Sequence, residues 1–358
     1  MDGASRAVPP HVRDVRQDGE LPPLSARAVA LVSGGLDSLL AARLVVDQGL
    51  DVRGVTFSSD FGCGAGASGG CGASPSSASA GFPITYSHLG REYIQLVRAP
   101  RFGYGSQLNP CIDCRHAMVQ AAWCYARHVG ASWLITGEVL AQRPMSQRRA
   151  VMRDMDHRLG LTGRVLRPLS ARLLQPTAME EAGIVDRSRL LAIHGRERRS
   201  QLALARARGI EHFAEPGGGC LLTQERYADR ARDLFRFVPA EREVPARDVR
   251  LLQLGRHFRV SLALKLVVAR DEAECAALVA HRERADWLLT PVGRAGATAL
   301  AVGEPGAFGL ALCARAAACY AKAAPGERVS FDVQGPDGAS ALEVERPADR
   351  AWLAALVV

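Results

Sequence analysis

The stretch RAVALVSGGLDSLLAARLVVDQG, residues 27–49, decides the architecture. RAVALV, Arg27 to Val32, is a short apolar run of the kind that makes a fully buried strand. LLAARLVVDQG, from Leu39, has the composition and length of a helix ending at a glycine. Between them lies SGGLDS, Ser33 to Ser38, a turn with two glycines. A buried strand that passes through a glycine turn straight into a helix is the opening half of a βαβ unit. DVRGVTF, Asp51 to Phe57, supplies its second strand.

Reading outward, FPITYSHLG (82–90) and SWLITG, Ser132 to Gly137, are further strands, the latter again running into a glycine. Strands alternating with helices of about ten or more residues predict an α/β fold, a doubly wound parallel sheet covered on both faces. Ligands of such sheets bind at the carboxyl ends of the strands, so SGGLDS and TGE (136–138) are expected to face one crevice. Residues 62–81, GCGAGASGGCGASPSSASAG, lack large side chains and read as a flexible insert. A helix over 187–208 leads to HFAEPGGGCLLT, and FVPAEREVPA (237–246) reads as a linker. The expected division is a flexible arm at 1–26, an α/β domain at 27–238 and a smaller α+β domain at 246–358. Strands of the last domain are VRLLQLGRHFRVSLALKLVVA, DWLLTPVG, ATALAVG, ERVSFDVQ and ALEVE, with helices over 271–284 and 306–322.

Composition narrows the class of function. The chain has 358 residues, 48% hydrophobic and 23% charged, which excludes a mostly disordered protein. No apolar stretch approaches the roughly 20 residues of a bilayer span. MDGASRAVPPHVRDVRQDGELPPL has no apolar signal region, so a cytoplasmic protein with no membrane partner is expected. Nine cysteines in a reducing compartment call for a metal or redox explanation rather than disulfides. The net charge of +8 favours an anionic partner, though a composition with only two lysines, Lys265 and Lys322, reflects coding bias as well.

SGGLDS has its own chemistry. Gly34 and Gly35 allow a tight turn whose N–H groups can point at an anion, and the following helix adds its positive end. Ser33 and Ser38 supply hydroxyl donors. Asp37 is repulsive to phosphate unless a cation lies between, and magnesium is the natural one. The plain alternative is a glycine turn with Asp37 or Ser38 as a helix cap.

The cysteines form a second constellation. In NPCIDCR, Asn109 to Arg115, Asn109 caps a helix and Pro110 is its first residue, which sets Cys111 and Cys114 on one face. The helix dipole is expected to favour their thiolates. Cys220 stands far downstream after three glycines. A C-x-x-C pair plus one remote cysteine suits three ligands of a 4Fe-4S cluster with one open iron, or a redox pair with a nucleophile. Zinc needs a fourth ligand, for which His116 and His212 are the nearby histidines. Cys124, Cys275, Cys313 and Cys319 read as inert buried thiols; Cys63 and Cys71 fall in the flexible insert.

Taken together, SGGLDS between strand and helix, NPC-x-x-C, TGEVLAQRPMSQ (Thr136 to Gln147) and the late Cys220 resemble the PP-loop ATP pyrophosphatases of the tRNA sulfurtransferase branch. TGEVLAQRPMSQ is similar to the motif of 4-thiouridine synthetases, and the cysteine placement is similar to that of 2-thiouridylases. The resemblance runs from Ala28 to Thr223 and implies a Rossmann-like, adenine nucleotide α-hydrolase-like fold. It implies ATP on Ser33, Gly34, Gly35, Leu36, Asp37 and Ser38, with Mg2+ at Asp37. Phe57, Gly137, Glu138 and Gln142 would complete the nucleotide site. It also implies a 4Fe-4S cluster on Cys111, Cys114 and Cys220. Two modules of relatives are not expected here, a THUMP-type RNA-binding module before Ala28 and a rhodanese-like domain after the catalytic unit. LGRHFRVSLALKLVVARDEAE resembles the small RNA-binding domain of NFACT proteins, with packing or homodimer formation as its other use. Arg256, His257 and Arg259 beside Phe258 mix charge and ring as RNA contacts do.

The resulting expectation is an ATP-dependent tRNA thiolation enzyme. It adenylates a uridine carbonyl oxygen and then transfers sulfur supplied by sulfide or a cysteine desulfurase. The rival readings are a PP-loop enzyme inserting sulfur or forming amides on a small molecule, and a non-enzymatic RNA-binding protein with a relic loop.

Overall fold

The computed structural model describes residues 20–62, 80–211, 213 and 220–358. Most of the expected N-terminal arm, positions 63–79 of the insert with Cys63 and Cys71, and His212 lie outside the described residues. The chain divides into two units, Met1–Thr223 and Gln224–Val358.

In the first unit β1 (Arg27–Leu31), β2 (Asp51–Ser59), β3 (Ile84–Leu89), β4 (Leu134–Thr136) and β5 (Val165–Leu166) form one sheet in the order β3-β2-β1-β4-β5. Every pairing is parallel. Alternation along β1 feeds two cores. Ala28, Ala30 and Val32 join Leu36, Leu40 and Leu44 of α1 (Leu36–Val46). Val29 and Leu31 join Val119, Trp123 and Ala126 of the helix Cys111–His128 on the other face. The sheet is thus apolar on both sides, as a continuous hydrophobic β1 requires. The chain moves outward from β1 to β2 and β3, then returns to β4 on the opposite side of β1. That reversal opens a crevice at the carboxyl ends of β1 and β4, where Leu31 pairs with Thr136.

Helices of this unit are α1, α2 (Arg91–Arg98), α3 (Cys111–His128), α4 (Arg149–Arg158), α5 (Ala178–Glu181) and α6 (Arg199–Ala207). The helix expected over 187–208 is broken. Residues Arg187–Arg189 form a single 3-10 turn, capped by Asp186 accepting from the Ser188 amide, and α6 starts only at Arg199.

The second unit has α7 (Glu225–Phe237), α8 (Ala246–Leu251), α9 (Glu272–His281) and α10 (Gly306–Ala318). Its strands are β6 (Arg256–Ser261), β7 (Leu264–Val268), β8 (Trp287–Pro291), β9 (Ala299–Gly303), β10 (Arg328–Gly335) and β11 (Gly338–Glu345). They form an antiparallel sheet in the order β11-β10-β8-β9-β7-β6. Two boundaries differ from the sequence expectation. Residues 249–251, expected to open a strand, end the helix Ala246–Leu251, and α7 falls in this unit although the expected division placed it in the first. The cause of the second is polar: Asp233 of α7 receives Arg259 of β6 through two hydrogen bonds, and the Lys265 ammonium lies 2.9 Å from the same carboxylate. Among the described residues no helix is long and apolar enough to cross a membrane.

Candidate active site

The loop after β1 is built by its own side chains. Gly34 has φ +77°, the left-handed turn that a side chain resists. Gly35, not Asp37 or Ser38, is the helix cap, and Leu36 is fully buried in the core. Burying that leucine stabilises the loop's exit by about 2 kcal/mol. Ser38 is buried and braces the turn: its hydroxyl donates to the Gly35 carbonyl at 2.8 Å and accepts the Ser33 amide at 3.1 Å. The hydroxyl expected to reach an anion is therefore committed inside the loop, whereas Ser33 stays exposed. The amides of Leu36, Asp37 and Ser38, in the first helical turn, have no intrahelical acceptor and form the anion-facing end.

Asp37 is held on one side only. Its Oδ2 accepts from Gln142 Nε2 at 3.0 Å, while its Oδ1 is buried with no partner. A buried carboxylate oxygen without a donor is an energetic liability of about 1–3 kcal/mol unless a cation or donor completes it. Asp37 thus fits a magnesium ion.

Gly137 and Glu138 have structural roles different from those expected. A Cβ on Gly137 would stand 2.5 Å from the Ser38 nitrogen and 2.6 Å from its Cα, so the glycine lets β4 pack against the loop backbone itself. Glu138 is buried and accepts from Arg115 Nε at 3.0 Å, Thr136 Oγ1 at 3.0 Å and Arg167 Nε at 2.8 Å. Burial alone would raise its pKa, but the charges of Arg115 and Arg167 hold it at about 2. Arg167 is shared with Asp156, through Nη1 at 2.8 Å and Nη2 at 2.9 Å. Glu138 is committed to this buried frame rather than to metal or ribose. Phe57, expected beside the nucleotide, packs on the core around Val55 and Trp123.

The cysteines lie on the same side of the unit. Helix α3 starts at Cys111, one residue later than expected, with Pro110 at the cap position and no side-chain cap. Asp113, between the two cysteines, is buried and accepts the amides of Arg101 and Phe102 at 3.1 and 3.0 Å, which fixes the preceding loop. Tyr93 donates its hydroxyl to Cys114 Sγ at 3.0 Å. Burial, with smaller contributions from Cys220 and Cys111, pushes the Cys114 thiol up to about 12, against the expectation that the helix start would favour a thiolate. Cys220 and Cys111 both act electrostatically on the Cys114 thiol. Cys220 is carried there by its own chain: the Leu108 amide, just before α3, donates to the Leu222 carbonyl at 3.1 Å, and Thr223 folds back on the Cys220 carbonyl. The three form no disulfide, and among the described residues no group of three or more His, Cys, Asp or Glu is arranged to hold a metal ion. As donors, three neighbouring thiols match the chemistry of an iron–sulfur ligand set.

One segment joins both constellations. After β4 the chain turns at Ala141, φ +63°, and closes on itself where the Ala141 amide donates to the Gln147 carbonyl at 2.8 Å. Gln142 reaches Asp37 and Ser146 receives the Cys111 thiol at 3.6 Å. Arg143 and Arg148 are exposed. Tyr93, Arg115, Ser146 and Arg167 were missed in the sequence because each acts through a partner remote in the chain.

In the second unit the expected RNA contacts on β6 are mostly inside. Phe258 and His257 are buried, and burial drives the His257 pKa well below its ordinary value. Arg259 is paired with Asp233. Arg256, half-buried like Arg259, makes no ion pair and stands 4.7 Å from the Tyr320 ring centroid. Cys313 and Cys319 are buried thiols as expected; Cys124 and Cys275 are half-buried.

Comparison with known proteins adds family relations to this geometry. A family model described as "Thiamine biosynthesis protein (ThiI)" matches residues 24–171, and one described as "NFACT protein RNA binding domain" matches residues 255–351. A tRNA-specific 2-thiouridylase MnmA of Bartonella quintana (strain Toulouse) is 31% identical over 146 residues, 37% of this chain and 36% of that protein. One of Azorhizobium caulinodans is 32% identical over 152 residues, 39% of this chain and 38% of that protein. The chain thus spans little more than a third of the length of these relatives. The C-terminal part of a fibronectin/fibrinogen-binding protein of Streptococcus suis aligns with a TM-score of 0.26 at 14% identity, over 38% of this chain and 64% of that one. The findings fit a chain that joins a PP-loop unit, similar to the ThiI and tRNA 2-thiouridylase proteins, to a C-terminal unit of the NFACT RNA-binding type.

Proposed function

We propose that this protein is an ATP-dependent tRNA sulfurtransferase of the reducing cytoplasm. The observation that carries the reading is the 139–147 segment, which touches Asp37 of the phosphate loop through Gln142 and Cys111 through Ser146. Nucleotide and sulfur chemistry would then share one crevice. The uridine carbonyl oxygen attacks the α-phosphate of ATP, pyrophosphate leaves, and sulfur displaces AMP from the activated carbon. The first-turn amides of α1 would hold the phosphates, and Asp37 would hold magnesium, which would supply positive charge against the phosphates. Tyr93 and Ser146 orient the two thiols of α3. Cys111, Cys114 and Cys220 would hold a 4Fe-4S cluster, which when bound offers an open iron to sulfide.

Nucleoside mass spectrometry of tRNA incubated with the protein, ATP, magnesium and sulfide, without oxygen, tests the reading. Thiouridine should form with one AMP and one pyrophosphate each, and Cys111→Ser, Cys114→Ser and Cys220→Ser should each abolish it while Cys124→Ser does not. Sulfur found only in a small-molecule fraction would reject the tRNA substrate. Zinc in place of about four irons per chain would reject the cluster.

A further inference from the structure

Some arginines of the second unit are neutralised by carboxylates and others are not. Arg247, Arg259, Arg270, Arg294 and Arg328 each pair with a carboxylate: Asp286, Asp233, Glu274, Glu327 and Glu343. Among the described residues, Arg256, Arg315, Arg346 and Arg350 make no ion pair, and three of them meet aromatic rings instead. Tyr320 lies between two guanidinium groups, Arg256 at 4.7 Å and Arg350 at 4.8 Å from its centroid. Arg315 stands 6.0 Å from the Trp352 ring. Phe258, buried, supports Tyr320 at a centroid distance of 6.4 Å. Arg346 belongs to the same patch, since Arg350, Arg346 and Arg315 all act on the Cys319 thiol, with Asp349 as the opposing carboxylate.

A guanidinium stacked on a ring keeps its N–H edge free to donate in the plane, the geometry that receives phosphate. Two further donors here are buried without an acceptor, Arg346 Nε and Trp352 Nε1. Arg315 and Arg350 are exposed, and Arg256 is steered by its Nη1 donating to the Ala269 carbonyl at 3.2 Å. Four guanidinium groups that make no ion pair, with Asp349 acting beside them, interleaved with rings and carrying unmet donors, describe an anion-binding surface. The rings are half-buried beneath the arginines and so cannot insert into a lipid layer. They can offer a stacking edge to unpaired bases beside the phosphates.

We propose that Arg256, Arg315, Arg346 and Arg350, arrayed round Tyr320 and Trp352, form the surface on which the second unit takes the backbone of an RNA strand. The identity of the RNA as tRNA rests on the function proposed above. The face differs from the β6 residues His257, Phe258 and Arg259, which the fold buries or pairs.

The test is fluorescence anisotropy of labelled tRNA transcript with the full chain over a series of salt concentrations. Arg315→Ala/Arg350→Ala removes two exposed side chains that make no ion pair. Arg294→Ala/Arg328→Ala removes the same charge from paired positions. The first pair should weaken binding about tenfold or more and flatten the log–log salt dependence by roughly 1–2, since each lost phosphate contact removes about 0.7–0.9. The second pair should bind within about twofold of the wild type, by the same salt-linkage reasoning for paired charges. Equal affinity for both double variants overturns the surface. If that occurs while the wild type still thiolates tRNA, only the surface is wrong. Loss of tRNA binding in the first variant, with no sulfur incorporated by the wild type, leaves the surface standing and removes the thiolation reading. Absence of tRNA binding by the wild type, together with binding to phosphatidylserine vesicles, overturns the proposal in favour of a lipid surface.

Discussion

Glu138 and Asp37 are carboxylates of neighbouring motifs at the same end of one sheet, and the fold treats them oppositely. Glu138 receives three donors and is buried between two arginines. Asp37 receives one donor and keeps a buried oxygen empty. A carboxylate whose lone pairs are filled is part of the frame, because any ligand would have to displace charge-assisted hydrogen bonds. A carboxylate left half-filled in the same low-dielectric setting is where a cation gains most. This contrast is what supports the proposal that Asp37, rather than Glu138, takes the cation.

The comparison breaks most easily at Arg167. Arg167→Leu strands Glu138 and Asp156 together and should destabilise the first unit by about 3–5 kcal/mol, read from denaturant midpoints. A linked pH effect follows. The folded pKa of Glu138 is about 2, against an ordinary value of 4.5. A lowered carboxylate contributes stability that is complete above about 4.5 and lost as pH falls through about 2, on the order of 3 kcal/mol in all. Asp156 is held up by burial and works against this, so the acid limb belongs to Glu138. Glu138→Gln should flatten that limb; an unchanged acid limb would mean that the frame is not charge-stabilised.

Next in size is Asp37→Asn. ATP cleavage should fall about 10²–10³-fold, roughly 3–4 kcal/mol at the transition state, with the melting temperature unchanged or raised. A variant that melts early but still cleaves ATP would invert the comparison. The smallest effect is Gly137→Ala, where a Cβ must push back the Ser38 backbone. It should cost about 1–3 kcal/mol and raise KM for ATP more than it lowers kcat. A silent substitution would show that the loop has slack.

Much of the first unit was legible in short segments. RAVALV, the glycine turn and the following apolar run each encode a local conformation, and period-two burial of β1 follows from its composition. The loop's backbone was legible: Gly34 takes the left-handed turn and α1 starts at Leu36, as the SGGLDS pattern between strand and helix requires. It failed at side chains. Glu138, Phe57 and Ser38 were expected to face ligand, and the fold uses them for an ion network, a core and a brace. On β6 the run Arg256 to Arg259 mixed charge and ring, and the fold buries His257 and Phe258 and pairs Arg259 with Asp233.

The sequence by itself therefore determined the strand–turn–helix units, their parallel order and the place of the phosphate loop, because backbone preference and hydrophobic period act over a few neighbouring residues. Only the tertiary structure decided which charges are neutralised. Arg167 meets Glu138 from 29 residues away, Gln142 meets Asp37 from 105, and Arg259 meets Asp233 from 26. A buried charge is framework or function according to whether such a partner arrives, since the interior leaves no water to substitute for it.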